Sequence, residues 1–191
     1  MNARAGFVWA TRQHFCRFIE DSGIGCELIT PHMLAAPFFR PTLSCLIIPT
    51  GFGNPAYSNL LPALRASSER INRFVEKGGN LLVFGAAVDN PEAYDWLPFP
   101  LRYCHDHHPR TIRFSPESET RTIIADYDAS CVECDGTFSV FEADCPGRCG
   151  DSAVLVQKTL GNGTVIVTTI HEYPSRTFLQ DFCRRGPPVV F

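Results

Sequence analysis

Lysine, methionine and tryptophan are scarce in this chain: two of each among 191 residues. Arginine supplies 15 of the 17 basic residues, a bias without functional weight, since either cation serves on a solvated face. Basic excess is missing too, the formal net charge being −3. That excludes a general nucleic-acid or membrane-surface binder, which needs a positive face. No apolar run approaches the ~20 residues of a membrane span. The apolar stretch Ala5–Ala10 is too short for the core of a secretory signal and its cleavage site. A cytoplasmic protein is therefore expected, in a compartment where disulfides are rare. Internal repeats and low-complexity tracts are absent. What remains is 45% hydrophobic and 19% charged, the balance of a globular chain long enough for one domain with a sizeable core.

The first half alternates strands and helices. Phe7–Ala10 is a short apolar strand. A helix from Thr11 or Arg12 sets Phe15, Phe18 and Ile19 on one face and stops at Gly23 and Gly25. Cys26–Thr30 is the second strand, and a proline-bearing loop, Pro31–Pro41, follows. "SCLIIP", Ser44–Pro49, and "NLLVFG", Asn80–Gly85, are continuous apolar runs of the kind buried on both faces of a parallel sheet. Between them lie the turn "TGFGNP" and one long helix, Tyr57–Lys77, with Leu60, Leu64, Ile71, Phe74 and Val75 as its buried stripe. After Asn90 strands come without helices between them: Phe99–Tyr103, Thr111–Phe114, Thr122–Ala125, Thr137–Phe141, Ala153–Lys158 and Thr164–Ile170. The "GNG" of Gly161–Gly163 joins the last two as a hairpin. A helix over Pro174–Arg185 buries Phe178, Leu179, Phe182 and Cys183. The fold class expected is α/β and three-layered. It has a mostly parallel central sheet, helices on both faces and antiparallel additions in the second half.

Three stretches in this order, "LIIPTGFGNP", "FVEKGGNLLVFGAA" and "GNGTVIVTTIHEYPS", resemble the class I glutamine amidotransferase-like superfamily. The resemblance spans about Phe7–Phe182 and implies a single domain of that kind over residues 1–191. In catalytic relatives a Cys stands at a sharp turn after the central strand, and a late His activates it for attack on a carbonyl carbon. Counting from Gly78-Gly79 puts Gly85 there, and no Cys, Ser or Thr occurs from Leu81 to Val88. Glutaminase activity is therefore not expected. Gly85 itself calls for a positive φ or a close backbone approach, and backbone N–H groups there would suit an anion or a carbonyl oxygen.

The resemblance thus implies a non-amidase member with a small polar ligand bound at the carboxyl ends of the parallel strands. Gly51, Phe52, Gly53, Gly85, Ala86, His171 and Glu172 are its candidate contacts. His171 and Glu172 are expected to face the turn around Gly85, with room left there for a ligand or ordered water. For the same two residues a polar strand end also fits, Glu172 then lying near the start of the following helix. The alternative function is a non-enzymatic interaction or regulatory protein with a degenerate pocket. A homo-oligomer is compatible with either.

Two clusters offer metal ligands. Cys131-x2-Cys134 and Cys145-x3-Cys149, ten residues apart, would let four thiolates reach one zinc; free thiols or disulfides are the competing readings. "YCHDHHP" crowds Cys104, His105, Asp106, His107 and His108 together. It reads as a polar loop, but if extended it would point His105 and His107 the same way. A hydrolase using a metal held by this segment and His171 is a third reading of the function. Asp135-Gly136 reads as a turn and Phe138 as a core position, with no further role.

Overall fold

Apolar runs shorter than a helix, set between Gly- and Pro-rich turns, become strands at the centre of this protein. The computed structural model describes residues 3–191. In chain order the elements begin β1 (Arg4–Val8), α1 (His14–Asp21), β2 (Gly25–Ile29), α2 (Pro31–Ala35), β3 (Thr42–Leu43) and β4 (Cys45–Ile48). Next come α3 (Leu60–Ala66), α4 (Ser68–Glu76), β5 (Asn80–Val83), β6 (Leu101–Arg110), β7 (Arg113–Phe114) and a 3₁₀ helix (Glu119–Ile124). The chain ends with β8 (Val132–Phe141), β9 (Asp144–Cys149), β10 (Ser152–Leu160), β11 (Gly163–Thr168), α5 (Arg176–Arg185) and β12 (Val189–Val190).

A ten-stranded sheet runs β2-β1-β4-β5-β11-β10-β8-β6, with β9 on β10 and β7 on β9; β3 and β12 pair apart. The pairings from β2 through β11 are parallel. Those beyond β11 are antiparallel. The sheet changes character at β11, a late strand that joins β5 in parallel and β10 in antiparallel. Its two faces carry separate cores. On one, Leu46, Ile48, Leu81 and Val83 pack with Leu60, Leu64, Ile71 and Phe74 of α3 and α4. On the other, Cys45, Ile47, Leu82 and Phe84 pack with Phe15 and Ile19 of α1 and with Phe178, Leu179 and Phe182 of α5. Strict alternation along β4 and β5 makes this possible, since successive side chains point to opposite faces. Among the described residues no helix is long and apolar enough to cross a membrane.

Four expectations change. The long helix is two, broken at Ser67 (φ −109°, ψ 6°), whose buried hydroxyl donates to the Leu34 carbonyl at 3.0 Å. The 31–41 loop contains α2, started by Pro31 and by the Thr30 side chain, which accepts from Met33 N–H. Thr122–Ala125 is no strand: Thr122–Ile124 end the 3₁₀ helix and Ala125 caps it, while Ser118 caps Thr120 N–H and Thr122 Oγ1 donates to the Glu119 carbonyl. Such local bonds compete with a sheet ladder. The "CHDHH" segment is no loop but part of β6, paired antiparallel with β8. That strand closes the sheet path, so Pro109 sits in it as an edge strand tolerates.

Candidate functional site

β1, β4, β5 and β11 end on one side of the sheet, and a crevice of about 580 Å³ opens there. Trp9, Phe15, Tyr57 and Tyr173 give it aromatic walls. Its polar lining comes from Asn54, His105, His107, Asp135, His171 and Glu172. Phe15 and Tyr173 stack at 4.6 Å between ring centroids, which fixes that wall.

β8 crosses the end of β11 and carries Asp135 to His171. Asp135 N–H donates to the Thr169 carbonyl at 2.7 Å and His171 N–H to the Glu133 carbonyl at 2.9 Å. An isolated antiparallel bridge joins Cys134 to Ile170. With the backbones so registered, His171 Nδ1 lies 2.9 Å from Asp135 Oδ1. The Asp135 side chain is 3% exposed, the His171 ring 48%. Hydrogen bonding to Asp135 raises the His171 pKa, against a partial opposing effect of burial, and the Asp135 charge adds to it. The other carboxylate oxygen, Oδ2, is buried without a hydrogen-bond partner.

Glu172 is not the acid that orients His171. Neighbours along an extended chain point apart, and Glu172 Oε1 instead accepts from Glu133 N–H at 3.4 Å. Nor does it serve the next helix: α5 starts at Arg176, capped by Ser175 Oγ on Phe178 N–H, with no acidic residue in its first turn.

The turn after β5 also departs from expectation. A Cβ on Gly85 would lie 2.7 Å from Asp135 Cβ, 2.8 Å from its Cγ and closer still to Oδ2. Gly85 is thus required by close approach, and the space expected to be left beside it is filled by the Asp135 carboxyl. The positive φ belongs to Ala87, at 51°. Ala87 therefore holds the strained backbone typical of a nucleophile-bearing turn, two residues beyond the expected position, and it offers only a methyl group. One backbone donor of this turn is engaged. Ala86 N–H donates to Tyr94 Oη at 3.0 Å, and Tyr94 O–H donates to the Phe84 carbonyl at 3.0 Å. Gly51 N–H is held by the Gly85 carbonyl and Gly53 N–H by the Ala86 carbonyl. Of the expected contacts, Gly51, His171 and Glu172 line the crevice. Phe52, Gly53, Gly85 and Ala86 are buried behind its wall.

The extended β6 does turn His105 and His107 to the crevice. His105 Nδ1 lies 2.8 Å from the Asp135 carbonyl, which also accepts from Tyr103 O–H. The His107 and His171 rings are 5.3 Å apart. His108 pairs with Asp106 instead. Sequence reasoning missed Asp135. Asp135-Gly136, read as a turn, lies inside β8, where Gly136 pairs with His105 of β6; nothing local in the sequence marks that carboxyl as buried.

The four cysteines proposed as zinc ligands do not meet. Cys134 and Cys149 pack into the core beneath α1 and α5, Cys145 packs into the opposite core, and Cys131 is exposed. Burial pushes the Cys134 thiol up to about 12 and raises that of Cys145.

No family model and no curated protein sequence matches this chain. Solved structures do. A putative GMP synthase subunit from Thermoplasma acidophilum is 10% identical with a TM-score of 0.62, over 96% of this chain and 93% of that one. A cytoplasmic protein of Salmonella typhimurium LT2 is 14% identical with a TM-score of 0.54, over 94% and 95%. A β-galactosidase from Bacillus circulans sp. alkalophilus is 13% identical with a TM-score of 0.54; this chain, matched over 96%, spans 30% of its length. At these identities the likenesses show a shared fold alone.

Proposed function

We propose that residues 1–191 form one glutamine amidotransferase-like domain that has no amidase activity and binds a small polar ligand in the crevice. The observation that carries this reading is the Asp135–His171 pair, hydrogen-bonded at 2.9 Å and open to a 580 Å³ space with aromatic walls. That volume falls within the range of small-molecule sites. Covalent catalysis has no candidate at the turn, where Gly85, Ala86 and Ala87 stand. In the metal-free crevice the group placed for acid or base chemistry is His171, oriented by Asp135. The likeness to the GMP synthase protein supports the superfamily reading of the fold; the absent nucleophile comes from the sequence.

The test is a titration of chelator-treated protein with a panel of small carboxylic acids, amides and sugars, following the His171 ring resonances by NMR. At least one compound should shift them saturably. His171→Ala should then weaken its binding by about 1–3 kcal/mol, the value of a hydrogen bond to a polar ligand. Ammonia release from glutamine should be absent. Turnover of glutamine would overturn the non-amidase reading, and a panel that leaves His171 unmoved would favour the interaction-protein alternative.

A further inference from the structure

Among the described residues, His107, Asp135 and His171 are the one group of three or more His, Cys, Asp or Glu side chains whose ligand atoms all lie within 4.8 Å of one another. We propose that these three side chains hold one divalent first-row transition ion in the crevice. The proposal rests on the crevice being a functional site and adds the ion bound there.

Two imidazole nitrogens and one carboxylate oxygen suit zinc, cobalt, nickel or ferrous iron, whereas magnesium and calcium favour all-oxygen shells. Ligand atoms about 2.0–2.2 Å from a shared ion lie about 3–4 Å apart. The spacing found here therefore needs small rotations of two rings, and both are about half exposed, at 48% each.

A second, independent observation is the state of Asp135. Its carboxyl is 3% exposed, its only side-chain partner is His171, and Oδ2 has none. A carboxylate removed from water with an unused acceptor is unfavourable, and a cation on that group offsets the cost. The surroundings also favour positive charge. Glu133 Oε2 lies 3.5 Å from His107 Nε2, and Glu172 lines the same crevice. Arg110 on the same strand is tied to Asp106. Three protein ligands leave coordination positions open to the crevice, the arrangement of catalytic rather than structural sites.

The experiment strips the full chain with a chelator and titrates it with Co²⁺ and then Zn²⁺ by calorimetry. One equivalent should bind, and the Co²⁺ spectrum should lack a thiolate charge-transfer band. His107→Ala alters an exposed ring and leaves the Asp135–His171 pair intact; Asp135→Asn keeps the buried shape. Each should lower affinity at least about tenfold. No saturable uptake, uptake unchanged in His107→Ala, or a thiolate band would overturn the proposal. Small-molecule binding to stripped protein without ion uptake defeats this inference alone. Ion uptake with no small-molecule binding defeats the functional reading alone.

Discussion

The carboxyl group of Asp135 occupies the space that a side chain on Gly85 would need. Two positions fifty residues apart are thereby coupled. Gly85→Ala should force the buried carboxyl aside, against a β8 backbone held by Asp135 N–H on Thr169. Overpacking of this kind costs about 1–3 kcal/mol, read as a lower denaturation midpoint at unchanged m-value. Asp135→Ala should relieve part of the clash, so the double variant should be less destabilised than the sum of the single changes. Additive losses would separate the two residues.

The Asp135–His171 pair also sets a pH dependence. Because the His171 pKa is raised in the folded chain by its hydrogen bond to Asp135, its contribution to stability is fully present below the unfolded value of about 6.5. That contribution is lost as pH rises through the folded value. In metal-free protein, an NMR titration of the His171 ring should give a midpoint above that of an unstructured histidine. Asp135→Asn should lower it. The stability gap between wild type and Asp135→Asn should narrow on going from mildly acidic to alkaline buffer. A midpoint unmoved by Asp135→Asn would dissociate the pair.

Thiol reactivity should sort by burial. Cys104 and Cys131 are exposed, while Cys16, Cys45, Cys134 and Cys183 are buried. Burial chiefly raises the Cys45 thiol well above its ordinary range, with the Cys183 sulfur 2.7 Å away contributing. Since the thiolate is the reactive form, a disulfide reagent on native protein should modify Cys104 and Cys131 first. Cys45, Cys134 and Cys183 should react only after denaturant is added. Mass mapping of the fast-reacting sites decides this, and early labelling of Cys45 would contradict the packing.

The parallel half of the sheet was legible because its signal is local. "CLII" and "NLLV" are apolar at every position but one, which a strand covered on both faces explains. The break in the long helix was not, because it depends on a distant partner: Ser67 turns away to reach the Leu34 carbonyl. β6 was illegible past Tyr103 because its histidines and Asp106 carry no apolar alternation; the strand exists through its pairing with β8. In the site, His171 was readable from its place after a β-strand, and Gly85 from its distance beyond Gly78-Gly79 under the superfamily resemblance. Their mediator was hidden. Asp-Gly is a strong local turn signal, and only the register of β8 against Thr169 and His171 converts it into a buried carboxyl at the mouth of the sheet.

Tyr94 provides the sharpest test of how the turn is held. Its hydroxyl is fully buried and bridges the turn, accepting from Ala86 N–H and donating to the Phe84 carbonyl. Its ring meets Phe52, Tyr103 and Phe138 edge-on. Tyr94→Phe keeps those ring contacts and removes the bridge. Two buried backbone groups then lose a partner, which should cost about 1–3 kcal/mol each where nothing replaces it. Ala87, held at a φ of 51° just beyond, should relax first, because strained backbone persists only while its surroundings over-determine it. Hydrogen exchange in Tyr94→Phe should therefore accelerate at Ala86 and Ala87 more than in α4. A loss of protection spread evenly over β5 and α4 would show that Tyr94 supports the core as a whole rather than this turn.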